Sequence, residues 1–162
     1  MHLVFPWTTD AAVYKWVLDG WRISGITDIV SGRPLTVVMD GDPNNDGVNG
    51  DRPDRIGPGT ISNPTVDQWF NTQDFIAPGQ YEFGNAGRGI LRGPNHQAWD
   101  ISVIKQTRVR EGDMVELRIA LFNAFNNVNF DNPENSFNTD SFGTIFGADR
   151  AREIEIALKY SF

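Results

Sequence analysis

The last ten residues sort by parity. Ile154, Ile156, Leu158, Tyr160 and Phe162 fall on one parity, and Glu153, Glu155, Lys159 and Ser161 on the other. Successive side chains of a β-strand point to opposite faces, so this segment has one wholly apolar face and one charged face. An antiparallel strand facing a soluble core gives the same alternation. The weight therefore rests on how often the pattern recurs along the chain.

It recurs three times. In residues 98–109 the odd positions are mostly apolar, from Trp99 through Ile101 and Val103 to Val109. In 114–126, Val115, Leu117, Ile119, Leu121 and Phe125 oppose Glu116 and Arg118. In 20–31, Trp21, Ile23 and Ile29 oppose Arg22, Ser24 and Asp28. Lys105, Asn123 and Thr27 interrupt the apolar faces. With 152–162, each segment is about the 9–11 residues that a tilted strand needs to cross a bilayer. Transmembrane strands are weak signals singly and are recognised by repetition with aromatic ends.

The connections differ in kind. Arg110-Glu111-Gly112-Asp113 is a tight polar hairpin turn. The segments 34–97, with most of the prolines, and 127–150, rich in Asn, Asp and Gly, are long. Outer-membrane barrels have short periplasmic turns and long extracellular loops. If Phe162 ends at the periplasm, the 111–113 turn is periplasmic and loops 34–97 and 127–150 are extracellular. The fold class expected is all-β: an antiparallel transmembrane barrel segment of four to five strands, part of a larger barrel.

Composition narrows the function. The chain of 162 residues has no cysteine and a net charge of −7. No disulfide scaffold or thiolate metal site is possible. The acidic balance argues against nucleic acid, which selects clustered Lys and Arg. No apolar run approaches the 18 residues of a membrane helix. The start, Met1-His2-Leu3-Val4-Phe5-Pro6-Trp7, lacks the basic and long apolar regions of a signal peptide, so the chain is expected to be part of a longer protein. The imidazole bases are limited to His2 and His96. Glu153 and Glu155 sit on one strand face about 7 Å apart, a spacing that would suit an inverting glycosidase but is more simply a hydrated face opposite Arg118 and Arg108. No enzyme is expected.

The long loop carries local signals. Asn63-Pro64-Thr65-Val66-Asp67-Gln68-Trp69-Phe70 reads as a short helix with Asn63 as N-cap and Pro64 at its first position. Trp69, Phe70 and Phe75 are expected to form a small satellite core, and Phe75, Tyr81 and Phe83 are candidates to anchor the loop over a barrel mouth. The glycines of residues 83–94 brush a nucleotide fingerprint, but Pro94 denies the helix it needs. Arg88 and Arg92 are expected to pair with carboxylates. Asp42, Asn44 and Asp46, with Gly47 next, match positions 1, 3, 5 and 6 of a calcium loop. Pro53 stands where the bidentate glutamate belongs, so Asp51 or Asp54 would have to substitute. A plain polar turn uses the same residue types. Calcium is the one candidate cofactor.

In order, Gly20-Trp21-Arg22-Ile23-Ser24-Gly25-Ile26, Ser31-Gly32-Arg33-Pro34-Leu35-Thr36, Trp69-Phe70-Asn71, Phe83-Gly84-Asn85-Ala86-Gly87-Arg88, Leu91-Arg92-Gly93-Pro94, Trp99-Asp100-Ile101-Ser102 and Phe122-Asn123-Ala124-Phe125-Asn126 run the length of the chain. This series resembles the last third of a TonB-dependent outer-membrane receptor, of the kind with a carboxypeptidase-regulatory-like domain at its N-terminus. The resemblance implies a barrel of about 22 strands with a plugged lumen. It also implies a Gram-negative outer membrane, and energy-coupled uptake of a siderophore, glycan or peptide. The partners it implies are outer-membrane lipid, the rest of the receptor and TonB. By the same resemblance Leu158, Tyr160 and Phe162 form the signal read by the barrel-assembly machinery. The alternative is a soluble surface-exposed β domain binding calcium or glycan, and solubility without detergent separates the two.

Overall fold

The structure is a computed structural model that describes residues 3–4 and 17–162; the rest of the strand expected near 1–6, and His2, lie outside them. Its long strands are β2 (Trp21–Val30), β7 (His96–Arg108), β8 (Met114–Phe122) and β9 (Glu153–Ser161). Short ones are β1 (Leu3–Val4), β3 (Pro34–Leu35), β4 (Asp54–Arg55), β5 (Phe75–Ile76) and β6 (Leu91–Arg92). A five-stranded sheet runs in the order β1-β2-β7-β8-β9, and β3 pairs β6 and β4 pairs β5 in two small sheets. The pairs β1/β2, β7/β8 and β8/β9 are antiparallel. The sheet is open among the described residues, with β1 and β9 at its edges.

The chain divides into two compact units. The sheet unit comprises Met1–Ile29, Gln97–Val128 and Arg150–Phe162, and the loop unit comprises Val30–His96 and Asn129–Asp149. Among the described residues, every buried apolar side chain of the core lies in the loop unit. Leu35, Val37, Phe70, Phe75, Ala86 and Leu91 form its centre, with Trp69, Ile90, Phe137 and Phe142 packed against them. Phe142 meets Phe70, Phe75 and Phe137 edge-on at ring-centroid distances of 5.0, 5.8 and 5.7 Å. Edge-to-face contact of this kind adds to area burial.

The core is a joint product of two strand connections. Val38 N–H donates to the Asn135 carbonyl (3.0 Å), Trp69 N–H to Gly143 (2.8 Å) and Ile145 N–H to Val66 (2.7 Å). These bonds explain why residues 63–70 are not the expected helix. Residues 65–68 make one turn, closed by Thr65 N–H to Gln68 at 3.0 Å, and the chain then straightens so that Trp69 can bond Gly143 and Phe70 can enter the core. The helical signal appears later, as a 3-10 turn over Thr72–Asp74 capped by Asn71, whose side chain accepts from the Gln73 N–H.

β8 ends at Phe122, short of the expected 126, because Asn123 (φ 49°) and Asn126 (φ 55°) adopt the left-handed conformation that asparagine tolerates. In the loop unit, Gly32 passes so close to Gly93 that a Cβ would lie 1.9 Å from its carbonyl oxygen. Only glycine fits there, beside the β3/β6 pairing of Pro34 with Arg92 and Leu35 with Leu91.

Candidate functional site

The register of the sheet carries parity across strands. Ile154 faces Leu121, Ile156 faces Ile119, Leu158 faces Leu117 and Tyr160 faces Val115. One strand over, Leu121 faces Ile101, Ile119 faces Val103 and Leu117 faces Lys105. One face of β7, β8 and β9 is therefore apolar across all three strands, interrupted on β7 by Lys105 and Thr107. Ile154, Ile156, Leu158, Tyr160 and Phe162 are exposed on it. The opposite face pairs Glu116 with Lys159 and Gln106 with Glu116, and Gln106 Nε2 donates to Glu116 Oε2 at 2.8 Å.

Aromatic residues mark both ends of the apolar face. Trp99 stacks edge-on against Phe125 at 5.5 Å. Tyr160 and Phe162 lie 5.9 Å apart at the hairpin end, where the Tyr160 hydroxyl donates to Asp113 in the turn (2.8 Å). Trp99 and Thr107, which pairs through Val115 with Tyr160, are eight positions apart on β7. That is roughly 27 Å along the strand, or about 20 Å across a bilayer at a 40° tilt, against an apolar band about 25 Å tall in outer-membrane barrels.

Lys105, which breaks the apolar face in the sequence, is accommodated at that margin. Its ammonium lies 5.4 Å from the Trp21 ring centroid and donates to the Asp19 carbonyl. A lysine whose stem covers apolar surface and whose head reaches an interface fits such a boundary. Asn123, the second interruption, is no longer in the strand. It is buried in a turn, its N–H bound to Asp100 Oδ1 (2.9 Å) and its side chain bonded to both the N–H and carbonyl of Asn127. Asn126 Oδ1 accepts the Arg152 N–H (2.9 Å), which sets the start of β9. The Trp99-Asp100 and Phe122–Asn126 motifs are thus one lock at the strand ends, legible only as a motif in the sequence.

The sheet unit holds a hollow of about 480 Å³, lined by Ser24, Asp100, Ser102, Arg118 and Glu155 together with Ile26, Ile101, Leu121 and Phe122. Arg118 Nη2 is 3.6 Å from Glu116 on its own strand. The expected row of Glu153 and Glu155 directly opposite Arg118 and Arg108 is not formed. Glu153 faces Phe122, Glu155 faces Ala120, Arg118 faces Ala157 and Arg108 faces Met114. Glu155 and Arg118 share the hollow on the diagonal. His96 Nδ1 lies 3.2 Å from Asp149 Oδ2 in the loop unit.

In the loop unit the remaining motifs are fasteners. Gly32 N–H donates to Asn95 Oδ1, Trp69 Nε1 to the Arg92 carbonyl, and Gly89 N–H to Thr36 Oγ1. Asn85 Oδ1 accepts the Arg55 N–H, and the Asn85 N–H donates to Asp54 Oδ1. Arg92 reaches the Gly32 carbonyl at 3.4 Å rather than a carboxylate. Of the expected anchors, Phe75 is buried in the core, whereas Tyr81 and Phe83 are exposed.

The candidate calcium residues meet in one turn. Asp42 Oδ1 and Oδ2 accept the N–H groups of Asp46 and Gly47, Asn44 Oδ1 accepts Asp46 N–H, and Asp46 Oδ1 accepts Val48 N–H. Asn44 Nδ2 donates to Asp51 Oδ1 at 2.9 Å. The side-chain oxygens thus organise the loop's own amides. No group of three or more His, Cys, Asp or Glu placed to hold a metal ion is found among the described residues. Elsewhere in the unit the Glu134 carboxyl lies below the usual glutamate range, held there first by the Ser136 backbone N–H (2.9 Å).

Charge divides as sharply as burial. The loop unit has 12 of the 21 acidic residues and five of the 14 basic ones, so it carries the whole net charge of −7, while the sheet unit has nine of each. The sequence reading missed this partition because the two segments of the loop unit are separated by two strands.

A family described as an outer membrane beta barrel domain matches residues 4–155, nearly the whole chain. No curated protein and no solved structure matches. The two-faced antiparallel sheet, its aromatic margins and this match agree: the chain belongs to the outer membrane beta barrel domain family, and its all-β sheet is part of an outer-membrane barrel.

Proposed function

We propose that the chain is the C-terminal barrel portion of a TonB-dependent outer-membrane receptor that takes up a nutrient, a siderophore, glycan or peptide, in a Gram-negative bacterium. The observation that carries this reading is the loop unit, a body with its own core built from two strand connections of a membrane sheet. Loops of that size and order serve recognition more often than connection. An open sheet leaves unpaired backbone that lipid does not tolerate, so the remaining strands and a plug come from the rest of the receptor. Energy then comes through TonB, and the chain itself has no catalytic role.

The test is uptake by cells of the native host. Deleting the receptor gene should lower uptake of one siderophore, oligosaccharide or peptide, and deleting TonB should lower uptake of the same compound. Receptor-dependent uptake that persists without TonB overturns the reading. Leu158, Tyr160 and Phe162 are proposed as the signal for the barrel-assembly machinery. Phe162→Ala in the full-length receptor should reduce the heat-modifiable protein in the outer membrane without changing the melting of what does insert.

A further inference from the structure

The segment after β5 presents two large aromatic rings to solvent within three residues. Tyr81 is 65% exposed and Phe83 is 73% exposed, in a unit that buries Phe70 and Phe75. Residues 79–82 form a turn closed by Glu82 N–H to the Gly79 carbonyl at 3.0 Å. Tyr81 occupies its third position with φ 66°, where such turns take glycine. A bulky side chain there is disfavoured, and strain of this kind collects at binding sites. Tyr81 N–H donates to the Pro43 carbonyl (3.4 Å), which sets the turn beside the Asp42–Asp46 stretch, and Asn85 ties the other end to Asp54 and Arg55. Glu82 lies exposed between the two rings in sequence.

Charge decides the occupant. The loop unit holds the entire net charge of −7. A field of that sign concentrates cations and disfavours anions, and aromatic faces bind ammonium and guanidinium groups. A neutral sugar would gain stacking but nothing from the field. We propose that Tyr81, Glu82 and Phe83 form a recognition surface for a basic peptide, its cationic side chains held against the two rings and Glu82. That such a peptide is then imported rests on the receptor reading above; binding itself does not.

The experiment is fluorescence anisotropy on the purified full-length receptor in a neutral detergent. The probes are dansylated tetra-arginine, tetraglutamate and, as an unlabelled competitor, maltohexaose. Tetra-arginine should bind, weaken as salt rises, and lose about tenfold in affinity in the Tyr81→Ala, Phe83→Ala double variant. Glu82→Gln should weaken it further. Both rings are exposed, so the double variant should keep the parent's melting temperature. Tetraglutamate binding as tight as tetra-arginine, displacement by maltohexaose, or undiminished tetra-arginine binding in the double variant each overturns the proposal. A flat titration leaves TonB-dependent uptake unaffected, so the two readings fail separately.

Discussion

Ile156 in β9 is 71% exposed, and Phe70 in the loop unit is 2% exposed. Both are large apolar side chains with ordered apolar neighbours, Ile119 across the strand for one and Phe75 and Phe142 for the other. The difference lies in the solvent each is matched to. The sheet unit turns its apolar residues outward in register and places its charges evenly, nine acidic and nine basic. The loop unit turns its apolar residues inward and carries the net charge on the outside. One chain therefore contains a surface suited to lipid and a body suited to water.

Substitutions can break this contrast, and the largest effect is expected inside the loop unit. Phe70→Ala removes a ring from a closed core and should destabilise that unit by about 3–5 kcal/mol. In the full-length receptor, limited proteolysis should then cut residues 30–96 while the heat-modifiable barrel persists. A barrel that melts along with the loop unit would show that the two are not independent.

Next comes sidedness. Ile156→Arg should cost about 2–4 kcal/mol if that face meets lipid, and Glu155→Arg much less. Denaturant unfolding in phospholipid vesicles measures both. Equal losses would mean that the apolar face is not a lipid face.

The acidic loop offers a smaller effect. Calcium binding there is a proposal in which Asp42, Asn44, Asp46 and Asp51 would turn oxygens from amides to the ion. Lacking a glutamate at position 12, it should bind on the order of 10⁻⁴–10⁻³ M, so 1 mM calcium would stabilise the loop unit by about 0.4–1.4 kcal/mol. Calorimetric titration should show heat that Asp42→Ala with Asp46→Ala abolishes. No heat from the parent leaves the turn as a set of amide acceptors.

Smallest is the pH response of Glu134. Its folded-state value is depressed, so its contribution is full above the ordinary glutamate value and is lost as pH falls through the lowered one. The melting temperature of the loop unit should drop over that acid window, and by less in Glu134→Gln.

The two units differed in how far the sequence revealed them. Strands β2, β7, β8 and β9 are written in a two-residue period, which needs no knowledge of partners. Phe125 keeps the parity of β8 in the sequence although Asn123 has already turned the chain. The loop core has no period, because Leu35, Phe70, Leu91 and Phe142 meet only through long connections. Local rules misled there: Asn63 and Pro64 are good helix starters, but the bonds of Trp69 and Ile145 to the partner segment prevailed. In the acidic loop, the spacing of Asp42, Asn44 and Asp46 matches a calcium loop and a plain polar turn alike, because the same oxygens can accept the loop's own amides or face a cation.

The shared core also fixes an order of events in biogenesis. Residues 30–96 leave the ribosome before residues 129–149, yet the ring that packs edge-on against both Phe70 and Phe75 is Phe142, and Val66 and Trp69 find backbone partners in Ile145 and Gly143. Until that second segment is made and delivered, the first is an acidic chain with an incompletely filled core. Completion of the loop unit therefore waits for residues 129–149, and a product stopped before residue 129 would carry β2, β7 and β8 in full but no finished loop unit.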